Sequence, residues 1–459
     1  MISSLDQFSR PYFIGIAGTG MSALAQYLQG VGKHVEGSDR FFAPGVYNET
    51  REKLEAEGIL CHPQDGSAIR PGIDLVVVST AIEDTVIEVQ RAKELGIPIL
   101  HRSALLSIIA ASKKTIAVAG TSGKSTTSAM LFDMLEQGGL SPSIISGAGL
   151  VSIIKKGKIG NAVVGNGDWL VIEADESDGS IVQYHPAIGL LLNVDKDHDE
   201  VSKLMELFGK FKENSERFIV NRGHSLAATL SDKSNQDFSA IAADTNAGYK
   251  GADFKQQGLS IQFTVNGVPF HVTQLGRHNM ENALAAAATA HQIGVSLEDC
   301  ARALENYKGI YRRHQVLGEK NGVWVIDDYA HNPVKCAAAI AACQPVADKV
   351  IAWFQPHGFK PTRFLRQDFV NEIAAVLRPQ DEIWMSEIYY AGGSATKDIS
   401  AGDLINDLKV MGVNAYFEAD RNRFLEAVRP HLTSSSVLLL MGARDPSLEL
   451  FARQVWEQL

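Results

Sequence analysis

The chain has 459 residues and a formal net charge of −10, with 45% hydrophobic and 21% charged residues. That length carries a soft prior of about three domains of ~150 residues, and the composition is ordinary for a soluble globular chain. The acidic balance excludes a non-specific nucleic-acid binder. No unbroken apolar run of about 18 residues offers a membrane span, and no basic stretch followed by an apolar one marks a signal peptide. The four cysteines, Cys61, Cys300, Cys336 and Cys343, form no C-x-x-C pair. They read as reduced thiols of a cytoplasmic protein, with no zinc site.

The first predicted unit runs from residue 12 to 39. Tyr12-Phe-Ile-Gly-Ile-Ala-Gly-Thr-Gly-Met-Ser22 begins as a strand and turns through glycines into a short helix that stops at Gly30. His34-Val-Glu-Gly-Ser-Asp39 reads as the next strand, ending in an acid about twenty positions after the loop. This is the layout of a Rossmann-type site, with pyrophosphate over the loop and ribose near Asp39. The glycine spacing is G-x-x-G-x-G rather than G-x-G-x-x-G, so a nicotinamide cofactor is not indicated. Asp74 to Thr80 is a near-continuous apolar strand, as in a parallel sheet. Ile97 to Arg102 reads as another strand, and a boundary falls between Ser107 and Lys114.

The second unit is the most informative. Thr115 to Ala119 reads as a buried strand, Gly120-Thr-Ser-Gly123 as a tight loop, and Lys124-Ser125-Thr126 as the opening of a helix stopped by Gly138-Gly139. Such a loop lets backbone N–H groups converge on an oxyanion, and the helix N-terminus adds its dipole. Lys124 reaches outer phosphates and the Ser125 hydroxyl can bind Mg²⁺. The strict G-x-x-x-x-G-K-[ST] pattern fails only at Val118.

Further on, the apolar strand Trp169-Leu-Val-Ile runs into Glu173-Ala-Asp-Glu-Ser-Asp178, four carboxylates within six residues. A carboxylate at such a strand end can hold Mg²⁺, directly or through water. Leu190-Leu-Leu-Asn193-Val-Asp-Lys-Asp-His198 repeats the arrangement. Gly276-Arg-His-Asn279 with Asn282 precedes an alanine-rich helix predicted from Ala283 to His291, and is too dense in polar groups for capping alone. The last third is a separate α/β unit. Its predicted strands are Val323–Asp327, Val350–Gln355, Glu382–Met385 and Val437–Gly442, and their alternation with helices implies a parallel, doubly wound sheet.

Taken together, these runs resemble the Mur ligase family. The resemblance spans the chain and rests on Gly15-Ile-Ala-Gly-Thr-Gly-Met-Ser22, Gly120-Thr-Ser-Gly-Lys-Ser-Thr126, Glu173-Ala-Asp-Glu-Ser-Asp178, Asn193-Val-Asp-Lys-Asp-His198, Gly276-Arg-His-Asn279 with Asn282, Asp327-Asp-Tyr-Ala-His331, and Phe354-Gln-Pro-His357 with Arg363. The acidic run and the Phe-Gln-Pro-His run are similar to those of the alanine-adding branch. The resemblance implies an α/β fold of three domains. These are a Rossmann-like UDP-sugar-binding domain over 1–107, a central P-loop ATPase-type parallel-sheet domain over 108–309, and a Rossmann-like C-terminal domain that brings the amino acid over 310–459.

The resemblance further implies an ADP-forming amide ligase of peptidoglycan precursor synthesis. It would join L-alanine to the carboxylate of UDP-N-acetylmuramate through an acyl phosphate, using ATP and Mg²⁺. The chain would work in the cytoplasm, as a monomer or homodimer, without a nucleic-acid or membrane partner. Carried over by position, Lys124, Glu173, His198, Arg313 and His331 form the catalytic set, and Ser125, Glu173 and His198 hold metal. Gly120, Thr121, Ser122, Gly123, Lys124, Ser125 and Thr126 bind ATP together with His278, Asn279, Asn282 and Asp328. Gly18, Thr19, Gly20, Met21, Ser38, Asp39 and Ser79 line the UDP-sugar pocket.

The chain also departs from the family pattern. Ser122-Gly-Lys-Ser125 stands where His-Gly-Lys-Thr is usual, and Ala17 replaces a glycine. Asn332 stands for a second His, Gly393 for a Glu, and Met441-Gly-Ala-Arg-Asp-Pro446 is unlike the usual ending. The last three lie where the incoming amine is chosen. They keep open a recycling ligase that attaches a murein peptide to UDP-N-acetylmuramate, or a paralogue that adds another amino acid. A dinucleotide-dependent oxidoreductase would give Lys124 and the acidic runs no role. A non-catalytic nucleotide-binding module would not need Glu173 and His198 together. ATP hydrolysis that depends on a UDP-sugar separates these classes.

Overall fold

The structure is a computed structural model that describes residues 2–195, 200–244, 246–390, 392 and 396–459. The chain divides into two compact units. The first comprises Met1–Ala252, Thr264–Phe270 and Glu281–Ile310, and the second Asp253–Phe263, His271–Met280 and Tyr311–Leu459.

The first unit holds two parallel sheets. In the N-terminal sheet, β1 (Pro11–Ile14), β2 (Glu36–Asp39), β3 (Leu60–Pro63), β4 (Leu75–Val78) and β5 (Ile99–His101) lie in the order β3-β2-β1-β4-β5. All its pairs are parallel. Side-chain alternation sends Phe13 and Val77 into one buried cluster with Leu24 and Leu28. Tyr12, Ile14, Val76 and Val78 go to the other face with Val89. Burial on both faces explains why β4 reads as a continuous apolar run. The loop after β1 leads into the helix Thr19–Gly30.

The central sheet contains β6 (Lys114–Ala119), β7 (Ser143–Ile145), β8 (Ala162–Val163), β9 (Trp169–Glu173), β10 (Ile188–Leu191) and β11 (Arg217–Val220), in the order β11-β10-β6-β9-β7-β8. Only the short edge strand β8 runs antiparallel. β6 lies between β9 and β10, so the chain leaves β6 at the point where strand order reverses, the usual ligand position in such sheets. The helix that follows, Lys124–Gln137, buries its apolar residues and also the hydroxyl residues Ser125, Thr126, Thr127 and Ser128. Another helix, Val201–Glu213, buries Leu204, Phe208 and Phe211, one helical face. A smaller sheet follows, with β12 (Phe238–Ser239), β13 (Tyr249–Gln257), β14 (Ser260–Val265) and β15 (Val268–Val272) in sequence order.

In the second unit, β16 (Gln315–Lys320), β17 (Val323–Asp328), β18 (Lys349–Gln355), β19 (Glu382–Met385), β20 (Ala415–Phe417) and β21 (Ser436–Gly442) lie in the order β16-β17-β21-β18-β19-β20. The expected parallel arrangement holds from β17 to β20. The edge strand β16 differs, pairing antiparallel to β17. The cause is local: Asn321 and Gly322 both have positive φ, 53° and 78°, the geometry of a two-residue hairpin turn.

Three other expectations are corrected. Arg102 does not end a strand but opens the helix Arg102–Ala111, which also contains Ser107. The alanine-rich helix starts at Arg277 rather than Ala283, so the polar run lies in its first turns. Gly276, at φ 84°, makes the turn into it. His34 and Val35 precede β2 rather than belonging to it. Among the described residues no helix is long and apolar enough to cross a membrane.

Candidate active site

Gly120 and Gly123 both take positive φ, 136° and 85°, which only glycine adopts without strain, and Gly123 is the N-cap of the helix Lys124–Gln137. A Cβ on Gly123 would overlap the Asn282 side chain, whose Oδ1 accepts from the Thr127 hydroxyl at 3.2 Å. Asn193, just past β10, braces the loop from the other side. Its Oδ1 accepts from the Thr121 hydroxyl at 2.9 Å and from the Ser122 N–H at 2.8 Å, and its Nδ2 donates to the Ser122 carbonyl at 3.1 Å. The Asp195 N–H donates to Thr121 Oγ1 at 3.0 Å, and His224 Nε2 lies 3.2 Å from the Asp195 carboxylate. Neighbouring strand ends therefore fix the shape of the phosphate loop.

Three acids from the end of β9 face this loop. The Ser125 hydroxyl donates to Glu173 Oε2 at 2.8 Å. Glu173 Oε1 accepts from the Ser146 hydroxyl at 2.7 Å and from the Gly147 N–H at 2.6 Å. Lys124 Nζ donates to the Gly120 carbonyl at 2.8 Å and to Glu176 Oε2 at 2.7 Å, with Asp175 Oδ1 at 3.9 Å. Burial alone would lower the Lys124 pKa, but the facing carboxylates of Glu176 and Asp175 outweigh it and hold the ammonium above the ordinary lysine value. Burial pushes the Glu176 carboxyl up, with Lys124 opposing the shift. Burial also acts to raise Asp175, but Lys124 and the Ser177 amide bring it below the ordinary carboxylate range. Of the acidic run, sequence reasoning assigned a role only to Glu173. Ser146 and Gly147 carried no signal at all.

Ser125 and Glu173 offer two hard oxygens 2.8 Å apart, close to the edge of about 3 Å that an octahedron with ligands ~2.1 Å from a magnesium ion requires. This donor pair fits Mg²⁺. Among the described residues no group of three or more His, Cys, Asp or Glu is gathered for a metal. His198, expected as a further ligand, lies outside the described residues.

In the N-terminal sheet, Gly18 caps the helix Thr19–Gly30, and its carbonyl accepts from Met21 and Ser22. The structure gives three of the residues expected here partners of their own. The Met21 side chain packs in the hydrophobic core. The Asp39 carboxylate accepts the Ala17 N–H at 3.0 Å and the Phe41 N–H at 3.0 Å, so it braces the glycine loop first. The Ser38 hydroxyl donates to the buried Glu88 at 2.7 Å. Thr19 and Gly20 form the first turn, and Ser79 directly follows β4. A Cβ on Gly20 would meet the Arg102 guanidinium. Arg102 in turn donates to Asp178 at 3.4 Å, linking this loop to the acidic run.

The second unit carries the remaining expected residues. Arg312 and His314 have positive φ, 54° and 45°. This turn is pinned by two adjacent carboxylates. Asp327 takes a bidentate pair from Arg312, at 2.8 and 3.2 Å. Asp328 accepts the His314 N–H at 2.7 Å and the Ala330 N–H at 2.7 Å. The turn sets the Arg313 guanidinium 4.7 Å above the Tyr329 ring. His331 Nδ1 lies 2.9 Å from the Tyr329 carbonyl, and its ring is 5.7 Å from that of His357. Burial, with Lys335 nearby, holds His331 well below the ordinary histidine value, so it is neutral at pH 7. Asn332 caps the helix Pro333–Cys343 by accepting the Lys335 N–H. Asn279 Nδ2 donates to the Leu275 carbonyl at 2.8 Å.

His278 lies 5.2 Å from His314, and burial with that neighbour lowers its pKa to about 3. The unfolded chain takes up this proton below about pH 6.5 and the folded chain does not until about pH 3. Stability is therefore complete above pH 6.5 and falls as the pH drops toward 3, by about 2 kcal/mol at pH 5. Denaturant midpoints at pH 7 and pH 5 check this, because His278→Gln loses the portion of the acid sensitivity that belongs to this ring.

These features define a class: a modular α/β protein with a glycine loop and helix N-terminus at its central switch point and a second glycine loop at the end of another parallel sheet. Comparison with known proteins narrows it. Family models match three consecutive stretches. They are the Mur ligase family catalytic domain over residues 10–114, the Mur ligase middle domain over 118–290, and the Mur ligase glutamate ligase domain over 312–444. The chain belongs to the Mur ligase family and has its three-domain α/β architecture. It is 33% identical to the UDP-N-acetylmuramate–L-alanine ligase of Pelotomaculum thermopropionicum over 96% of each chain. It is 34% identical to the enzyme of that name from Xanthomonas campestris pv. campestris, over 95% of this chain and 93% of the other. The crystal structure of the UDP-N-acetylmuramate-alanine ligase from Thermotoga maritima superposes with a TM-score of 0.78 at 25% identity, covering 98% of both chains. A murein peptide ligase from Psychrobacter arcticus shares the fold, with a TM-score of 0.67 at 21% identity over 98% of both chains.

Proposed function

We propose that this chain joins L-alanine to the carboxylate of UDP-N-acetylmuramate and splits ATP to ADP and phosphate, in the synthesis of peptidoglycan precursors in the cytoplasm. One observation carries the proposal: relatives named for this reaction align over nearly the whole chain, and the phosphate loop faces Glu173, Asp175 and Glu176 from the adjacent strand. A carboxylate is a poor acyl donor. Its oxygen therefore first attacks the γ-phosphorus of ATP, giving an acyl phosphate and ADP. The neutral amine of L-alanine then attacks the acyl carbon, and phosphate leaves. The first step brings two anions together, so Lys124 and the loop amides supply positive potential there. Ser125 and Glu173 would hold Mg²⁺, which neutralises charge on the phosphates when bound. Arg313 contacts substrate and phosphate and His331 faces the reacting centre, while His278, Asn279, Asn282 and Asp328 serve adenosine. Gly18, Thr19, Gly20, Ser38, Asp39 and Ser79 form the wall of the UDP-sugar site.

Glu173→Ala raises the Mg²⁺ concentration needed for half-maximal turnover about tenfold or more, in line with losing one charged ligand oxygen. An unchanged magnesium titration means that this carboxylate only ties Ser125 and Ser146 to the loop. The reaction itself is tested by phosphate release from ATP with UDP-N-acetylmuramate, scanning L-alanine, other amino acids and a muramyl tripeptide. Release with L-alanine is the expected result. Release only with the tripeptide or another amine would assign the buried Asn332 cap and the Met441–Pro446 segment to a different acceptor.

A further inference from the structure

Glu176 has no part in the reaction as described, yet it makes the shortest contact to the residue on which phosphate binding depends. Its side chain is 4% exposed and that of Lys124 is 16% exposed. The ammonium has three donors. One points to the Gly120 carbonyl and one to Glu176, while Asp175 stands at 3.9 Å and is more exposed. The third donor alone remains free of short contacts to these groups. Outer phosphates gripped by Lys124 therefore share that ammonium with a buried carboxylate 2.7 Å from it. At this range and burial, charges interact strongly and water screens them little.

We propose that Glu176 is a positioning residue that holds the Lys124 ammonium over the phosphate loop by its charge and, by the same charge, weakens the grip on the outer phosphates of ATP. The inference rests on the reading of Lys124 as a phosphate ligand. Two features support charge rather than shape as the operative property. The Gly120 carbonyl already offers the ammonium a neutral acceptor, so what Glu176 adds to its placement is charge. The neighbouring acid Glu173 is engaged by Ser125, Ser146 and Gly147 and leaves Lys124 to Glu176. A buried ion pair whose partner must also serve an incoming polyanion lowers affinity and eases product release. An enzyme that must discharge ADP and phosphate after each turnover benefits from that.

The test compares wild type, Glu176→Gln and Glu176→Asp by calorimetric titration with a non-hydrolysable ATP analogue and with ADP in the presence of Mg²⁺, alongside steady-state kinetics. Glutamine keeps the shape and one hydrogen-bond acceptor but removes the charge. It is expected to bind the triphosphate analogue about tenfold more tightly, to gain less for ADP, and to lower KM for ATP without raising kcat. Aspartate keeps the charge and is expected to stay within about threefold of wild type in affinity. Equal or weaker triphosphate binding by the glutamine variant, with the fold intact by circular dichroism, overturns the proposal. Should the glutamine variant not fold, Glu176→Met, which also removes the charge at similar volume, takes its place: tighter triphosphate binding than wild type supports the proposal, and equal or weaker binding overturns it. Absence of ATP binding in wild type would instead overturn the phosphate-loop reading, so the two failures are distinct.

Discussion

Lys124→Ala lowers turnover by about 10³-fold or more while the UDP-sugar still binds with near wild-type affinity. The magnitude follows from removing a charged group aimed at the phosphoryl oxygens where charge develops. The selectivity follows from position. Lys124 opens the helix after β6, whereas the glycine loop at Gly18–Gly20 follows β1 of a different sheet. The fold is retained, because the lysine stem lies over the loop and is not part of the apolar core. Stopped-time product analysis, with isothermal titration of the UDP-sugar, checks both halves. Wild-type-like turnover would remove Lys124 from the chemistry.

The second large effect is on stability. Asp327→Ala destabilises the second unit by about 3–5 kcal/mol, the usual cost of leaving a buried charge without its partner. Arg312 and Asp327 expose only 10% and 4% of their side chains, and the Arg312 guanidinium would keep the neutral Gly442 carbonyl, at 3.1 Å, and the Tyr329 ring but no carboxylate partner from Asp327. The loss is not confined to stability. Arg312 sits at positive φ, and the turn it belongs to carries Arg313 over Tyr329, so the same change also loosens the placement of Arg313. Replacing both partners with apolar residues of similar volume, Arg312→Met with Asp327→Leu, recovers most of the stability, since neither buried charge then remains. Urea unfolding of wild type and the two variants checks the order: the single mutant lowest, the double mutant close to wild type.

What was legible in the sequence divides by physical cause. The phosphate loop was legible because its strand, glycines and helix start are contiguous, and local sequence dictates them. The same holds for β17 and β18, where apolar runs end in polar residues. Residues whose meaning depends on a distant partner were not legible. Glu176 reads as one more acid in a run until Lys124 is found 2.7 Å away, across 52 positions of chain. Ser146 and Gly147 sit in a loop with no chemical signature and become part of the site only because β7 pairs with β9. Asp39 was expected to face a ribose, and that its carboxylate also accepts the Ala17 amide of the glycine loop depends on how that loop folds back. The antiparallel β16 was missed because Asn321-Gly322, although a strong hairpin signal, joins a strand with weak alternation.

The central claim is that the UDP-sugar carboxylate is activated as an acyl phosphate at the Lys124 loop before the amine attacks. Labelling that carboxylate with oxygen-18, supplying ATP, Mg²⁺ and L-alanine, and weighing the released phosphate tests it directly. The account predicts one labelled oxygen in each phosphate released, together with a UDP-sugar product heavier by one alanyl residue. Unlabelled phosphate alongside that same product would contradict it, because the carboxylate oxygen would then never have bonded to phosphorus.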